Sequence, residues 1–210
     1  MLTALTNGTI YTGKEIIKGK VLVIEDDKIK EIIEPEKIPG IADRINCMDS
    51  IIAPGFIDLQ IYGGGGYLFS NEPSEKALQS MIDGLLQTGT SGFYVTLATN
   101  SIEIFHEAVR VVKENPHPAV LGLHFEGPYL NPVKRGAHLI QYIKRPDKEE
   151  VGELLRKADG VLKIMTLATE MCDPEIIKLL KDNGVVISAG HSNATFDEAE
   201  KGYENGITTT

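Results

Sequence analysis

Leu121-Gly122-Leu123-His124-Phe125-Glu126-Gly127-Pro128-Tyr129-Leu130-Asn131-Pro132 is the stretch whose reading decides the fold. With Ala119 and Val120 ahead of it, the segment opens as a buried strand and ends in a Gly-Pro turn. Glu126 closes the apolar run, and a carboxylate there is costly to bury without compensation. A divalent cation would compensate it, since glutamate oxygen ligates zinc and harder metals. A lysine or a backbone amide would serve as well on these residues alone.

Val185-Val186-Ile187-Ser188-Ala189-Gly190-His191-Ser192-Asn193-Ala194-Thr195 repeats the design. An apolar strand runs into a small-residue turn, a histidine sits at its end, and a helix starts. A lone histidine at such a place is more often a hydrogen-bonded rim residue than a ligand. A glutamate and a histidine on equivalent strand ends point instead to a parallel sheet with a site at its C-terminal edge.

Working outward, the rhythm from Ile51 on is strand, helix, strand, helix. Strands are expected at 57–61, 92–97, 119–125, 161–167 and 185–188, with a sixth beginning at Gly206-Ile207-Thr208. Helices are expected at 74–87, 101–114, 147–157, 173–182 and 195–204, carried by apolar residues at helical spacing and by Ser, Asp or Thr at the starts. Such a series fits a doubly wound open sheet, or a (β/α)8 TIM-type barrel interrupted after about five βα units, since a full barrel takes about 250 residues. Residues 1–53 differ: short β-rich runs around Ile10, Val23 and Ile32 alternate with turn signals such as Asn7-Gly8 and Glu25-Asp26-Asp27. They read as a small N-terminal antiparallel β unit, with 34–49 as a loop-rich transition and 54–210 as the partial barrel. Gly63-Gly64-Gly65-Gly66 lacks the Gly-Lys-Ser/Thr ending of a phosphate loop and reads as a flexible turn.

Composition narrows the class. A formal charge of −9 argues against a general nucleic-acid binder, without opposing a small phosphorylated ligand. The two cysteines, Cys47 and Cys172, are too few for a disulfide framework and suit reduced thiols. No apolar run approaches the roughly 18 residues of a membrane span, and Met1-Leu2-Thr3-Ala4 opens no signal peptide, so a cytoplasmic protein with no membrane contact is expected.

Four segments carry a family resemblance: Pro54-Gly55-Phe56-Ile57-Asp58-Leu59-Gln60, then Gly122 to Pro132, Lys134-Arg135-Gly136-Ala137-His138, and Ser188 to Thr195. In this order, over the whole chain, they resemble the N-acetylglucosamine-6-phosphate deacetylases of the amidohydrolase superfamily. The resemblance implies the interrupted barrel and the N-terminal part of the family's length. It implies one divalent metal ion, zinc or iron, with Glu126 and His191 as two of three protein ligands. The third, a histidine of the sixth strand, and the catalytic aspartate of the eighth would lie beyond Thr210, so the 210-residue chain is expected to be inactive alone. The His-x-His pair common in the superfamily corresponds to Gln60 and Tyr62, which implies a mononuclear site. Ala137 and His138 match positions that contact the N-acetyl end of the sugar. Gln60, His124 and Asn193 are candidates for supporting the ligands, Asn193 by orienting His191; for His124 an unrelated core role stays open. Asp58 reads as structural, and His106 and His117 receive no role.

The leading reading is therefore a metal-dependent hydrolase that removes acetate from N-acetylglucosamine 6-phosphate, working as a homodimer. Another sugar or cyclic-amide amidohydrolase, and a non-catalytic sugar-phosphate-binding or assembly protein, are the competing readings.

Overall fold

A computed structural model describes residues 1–210, which divide into two compact units, Met1–Gly55 and Phe56–Thr210. In the first, β1 (Leu2–Thr6) lies between β4 (Val21–Glu25) and β6 (Asp43–Asn46), and β5 (Lys28–Ile33) pairs with the outer side of β4. The β1–β4 and β4–β5 pairs are antiparallel, while β1–β6 is parallel. A second small sheet joins β2 (Thr9–Tyr11), β3 (Ile16–Ile17) and β7 (Ile51–Ile52). Ala4, Val21 and Val23 form the small core. Strand β6 falls where the sequence reads as loop. Its four residues, Asp-Arg-Ile-Asn, are all exposed, so it carries no apolar alternation to betray it.

The second unit carries a five-stranded parallel sheet, β8 (Phe56–Ile61), β11 (Thr90–Ala98), β12 (Val120–Glu126), β13 (Leu162–Leu167) and β14 (Val186–Ala189). The spatial order β8-β11-β12-β13-β14 is the chain order, so every strand pairs with the one before it. A doubly wound sheet would reverse direction part-way; this sheet never does, and it curls into a half-barrel. A sixth strand begins beside β14, where Ser188 bridges Thr209 in parallel.

Helices α1 (Glu75–Gln87), α2 (Ile102–Glu114), α3 (Lys148–Lys157), α4 (Pro174–Asp182) and α5 (Phe196–Asn205) follow the strands. Their starts obey capping chemistry. Ser74 accepts from the Ala77 amide, Asp147 from the Glu149 and Glu150 amides, and Thr195 forms a reciprocal capping box with Glu198. Their apolar faces close on the sheet around Phe93, Phe105, Phe125, Leu154 and Met165, all fully buried. Phe105 of α2 packs on Phe125 of β12 with ring centroids 4.5 Å apart. Edge strand β8 exposes Phe56, Ile57 and Leu59.

The four-glycine run differs from its reading as a flexible turn. It forms a short hairpin, β9 (Gly63–Gly64) with β10 (Tyr67–Leu68). Gly65 turns there at φ +59°, and a Cβ on it would meet the Ser80 carbonyl oxygen at 2.6 Å, so the backbone packs too closely on α1 for any other residue. Gly127, just after β12, also has a positive φ of +87°, and a Cβ there would lie 2.1 Å from Thr99 Oγ1.

Two substitutions test this account. Phe105→Ala should cost about 3–5 kcal/mol in denaturant unfolding, the usual loss for a fully buried aromatic; an unchanged midpoint would contradict the packing described. Gly127→Ala should cost about 2 kcal/mol or more, from backbone strain and the displaced Thr99 hydroxyl.

Candidate metal centre

Parallel strands end together at one edge of the sheet, which brings residues distant in sequence to one place. Glu126 ends β12, opposite Ala98 of β11 and Thr166 of β13. Its side chain is only 7% exposed, and four side chains from elsewhere in the chain face its two oxygens. Oε1 receives Gln60 Nε2 at 3.1 Å and faces His191 Nε2 at 3.0 Å. Oε2 accepts from the Tyr62 hydroxyl at 2.6 Å and lies 3.3 Å from His138 Nε2. Burial pushes the Glu126 carboxyl pKa up, but hydrogen bonds, those from His138 and Tyr62 foremost, outweigh it and hold the pKa down at about 2. Glu126 is thus a committed carboxylate.

The three histidines of this region differ in what their second nitrogen does. His191 Nδ1 lies 3.0 Å from the Lys134 carbonyl oxygen, so it carries the proton and donates. That leaves the Nε2 lone pair of the neutral ring aimed at a carboxylate oxygen, a contact that is attractive only with a cation between them or a proton on the nitrogen. His138 is the reverse: its Nδ1 accepts from the Thr99 amide at 3.2 Å, so in the neutral ring Nε2 carries the proton and donates to Glu126. His124 uses both nitrogens, Nδ1 toward the Leu59 carbonyl at 3.0 Å and Nε2 toward the Thr166 hydroxyl at 2.8 Å. Burial lowers its pKa, and it is a neutral cross-strand clamp joining β8, β12 and β13 rather than a contact of Glu126.

One ligand atom from each of Glu126, His138 and His191 lies within 4.8 Å of the others. A carboxylate and imidazoles are donors suited to zinc or iron. The hydrogen-bond pattern separates the two histidines: His191, fixed by a backbone carbonyl, has the arrangement usual for a metal-ligating histidine, whereas His138 has its proton where a metal would bind.

A cleft of about 270 Å³ opens beside Glu126, lined by Tyr62, Asn71, Asn100, Ala137 and His138 among others. Ala137 and His138 reach it on the loop after β12. Asn193 takes part through its backbone amide, which donates to Glu170 Oε1 at 2.6 Å, rather than through its side chain. Asp58 holds the Gln60 amide at 2.9 Å and touches none of the ligands. Tyr62, which the sequence shows only as a replacement for one histidine of the His-x-His pair, is in the structure a hydrogen-bond donor to Glu126. The signal was present: Gln60 and Tyr62 alternate at a strand end and share a face.

Two family profiles match the chain, the NagA composite domain over residues 2–49 and the amidohydrolase family over residues 51–210. An N-acetylglucosamine-6-phosphate deacetylase of Haemophilus influenzae is 33% identical over 99% of this chain and 55% of its own length. The crystal structure of the Pasteurella multocida N-acetylglucosamine-6-phosphate deacetylase superposes with a TM-score of 0.94 at 36% identity, covering 99% of this chain and 55% of that one. A Mycobacterium smegmatis deacetylase, a D267A mutant in complex with N-acetyl-D-glucosamine-6-phosphate, gives a TM-score of 0.83 at 28% identity over 99% of this chain and 54% of that one. The chain spans about half the length of these relatives. Half-barrel, site at the strand ends and family match agree: the chain belongs to the amidohydrolase family.

Proposed function

We propose that the protein is a mononuclear metal-dependent deacetylase that converts N-acetylglucosamine 6-phosphate to glucosamine 6-phosphate and acetate. The observation that carries this reading is the pairing of buried Glu126 with the backbone-fixed lone pair of His191. Relatives bearing the deacetylase name, and a relative in complex with the sugar phosphate, supply the substrate class.

Glu126 and His191 would hold one divalent ion, zinc or iron, with a further histidine of the sixth strand. When bound, such an ion lowers the pKa of water and polarises an amide carbonyl. Gln60 and Tyr62 steady the Glu126 carboxylate from the β8 side, where a binuclear site would need lone-pair donors. Ala137 and His138 line the cleft on the side where the resemblance puts the acetamido group, with the His138 Nε2 N–H directed at Glu126. Glu126 is the one carboxylate lining that cleft, and it is assigned to the metal. The proton-accepting carboxylate is, as the resemblance implies, an aspartate of the eighth strand.

We assign residues 1–53 to the small β domain and 54–210 to the barrel portion. No helix is long and apolar enough to cross a membrane, and both cysteines are free. A cytoplasmic homodimer is the assembly we propose.

The test is acetate release by the protein in its native length, with the metal content measured alongside. One metal per chain is expected; two would overturn the mononuclear reading. Glu126→Gln should abolish turnover and weaken Zn²⁺ binding about 100-fold or more, while Tyr62→Phe, which removes only a supporting hydrogen bond, should weaken it about 10-fold. Unchanged turnover in Glu126→Gln would sink the metal role. Hydrolysis of dihydropyrimidines in preference to acetylated sugars would favour another amidohydrolase activity. Binding of the sugar phosphate without turnover would favour a non-catalytic role.

A further inference from the structure

His191 adopts a left-handed backbone conformation, φ +49°, without being a glycine. Such a conformation costs about 1–3 kcal/mol and persists only where the surroundings impose it. The neighbouring contacts converge on one side chain that lies outside the cleft and away from Glu126. Glu170 follows β13 in a short 3-10 turn, Thr169–Met171. Its Oε1 accepts from the Asn193 amide at 2.6 Å and from Asn131 Nδ2 at 2.9 Å. Its Oε2 accepts from the Ser192 hydroxyl at 2.6 Å. Asn131 in turn donates its backbone N–H to the His191 carbonyl at 3.0 Å. A single carboxylate thus ties together the loops that follow β12, β13 and β14, and it grips the chain on the two residues directly after His191.

We propose that Glu170 is a positioning residue of the metal centre, holding the loop after β14 so that His191 Nε2 is aimed at Glu126. This rests on the metal reading of Glu126 and His191. A carboxylate suits the task because it can accept several short hydrogen bonds at once and donates none. A shorter or apolar residue would leave the Asn193 amide and the Asn131 amide group without their acceptor. The left-handed turn at His191 would then lose the contact that fixes its C-terminal side.

The experiment uses the protein in its native length, with Zn²⁺ affinity measured by chelator competition and hydrogen exchange followed in the metal-free protein. Glu170→Ala should weaken Zn²⁺ about 10–100-fold. It should also speed exchange of the Asn131 and Asn193 amides about 10-fold or more, while amides of β12 stay protected. Glu170→Gln keeps one acceptor oxygen for Asn131 and Asn193 and can reach Ser192 with its amide group. It should restore both readouts to within about 3-fold of the parent. Glu126→Gln is the control: it should lose Zn²⁺ while leaving exchange at Asn193 slow. Full Zn²⁺ affinity in Glu170→Ala, with affinity lost in Glu126→Gln, overturns the Glu170 assignment alone. Full affinity in Glu126→Gln overturns the metal reading and this inference with it. If Glu170→Ala does not fold, Ser192→Ala carries the same test with one hydrogen bond removed. Weaker Zn²⁺ binding and faster exchange at Asn193 are expected, and no change in either would overturn the assignment.

Discussion

The buried charge of Glu126 is the constraint on which the rest of the site depends. A carboxylate at 7% exposure is tolerable only when its surroundings compensate it, and here four side chains from three places in the chain surround its oxygens. Gln60 and Tyr62 arrive from the end of β8, His138 from the loop after β12, and His191 from the end of β14. None of these is near Glu126 in sequence except His138. The parallel sheet brings them together because its strands all point the same way and end at one edge.

The supporting residues show a division of labour set by hydrogen-bond polarity. A backbone carbonyl at Lys134 fixes His191 with its lone pair inward, and a backbone amide at Thr99 fixes His138 with its proton inward. Two imidazoles side by side, their rings 4.5 Å apart, are thereby given opposite chemical characters by main-chain groups alone. The third histidine, His124, has both nitrogens engaged by strand groups and serves the sheet. Nearness to the carboxylate is a poor guide to role; the partner of the remote nitrogen is a better one.

Backbone geometry matters as much as side chains at this edge. Gly127 gives β12 its exit at a positive φ beneath the Thr99 hydroxyl, which donates to the Glu126 carbonyl at 2.9 Å. His191 takes its own positive φ within a loop stapled by Glu170. The half-barrel is therefore a scaffold whose strand ends are trimmed by a few tight contacts, and the chemistry sits on those contacts.

The linear sequence by itself determined the alternation of apolar strands and amphipathic helices, the capping residues Ser74, Asp147 and Thr195, and the placing of Glu126 and His191 on strand ends. These are local properties, written in side-chain periodicity and in hydrogen bonds that span a few residues. The short exposed strand β6 was illegible because its residues face solvent and carry no pattern. The hydrogen-bonding use of Tyr62, the neutral clamp at His124 and the carboxylate staple at Glu170 were decided only by tertiary structure. Each depends on which group from another strand end comes within 3 Å or so, the reach of a hydrogen bond, and no spacing along the chain encodes that. The difference between His138 and His191 belongs to the same class, because a tautomer is chosen by whichever main-chain group the fold sets against the far nitrogen.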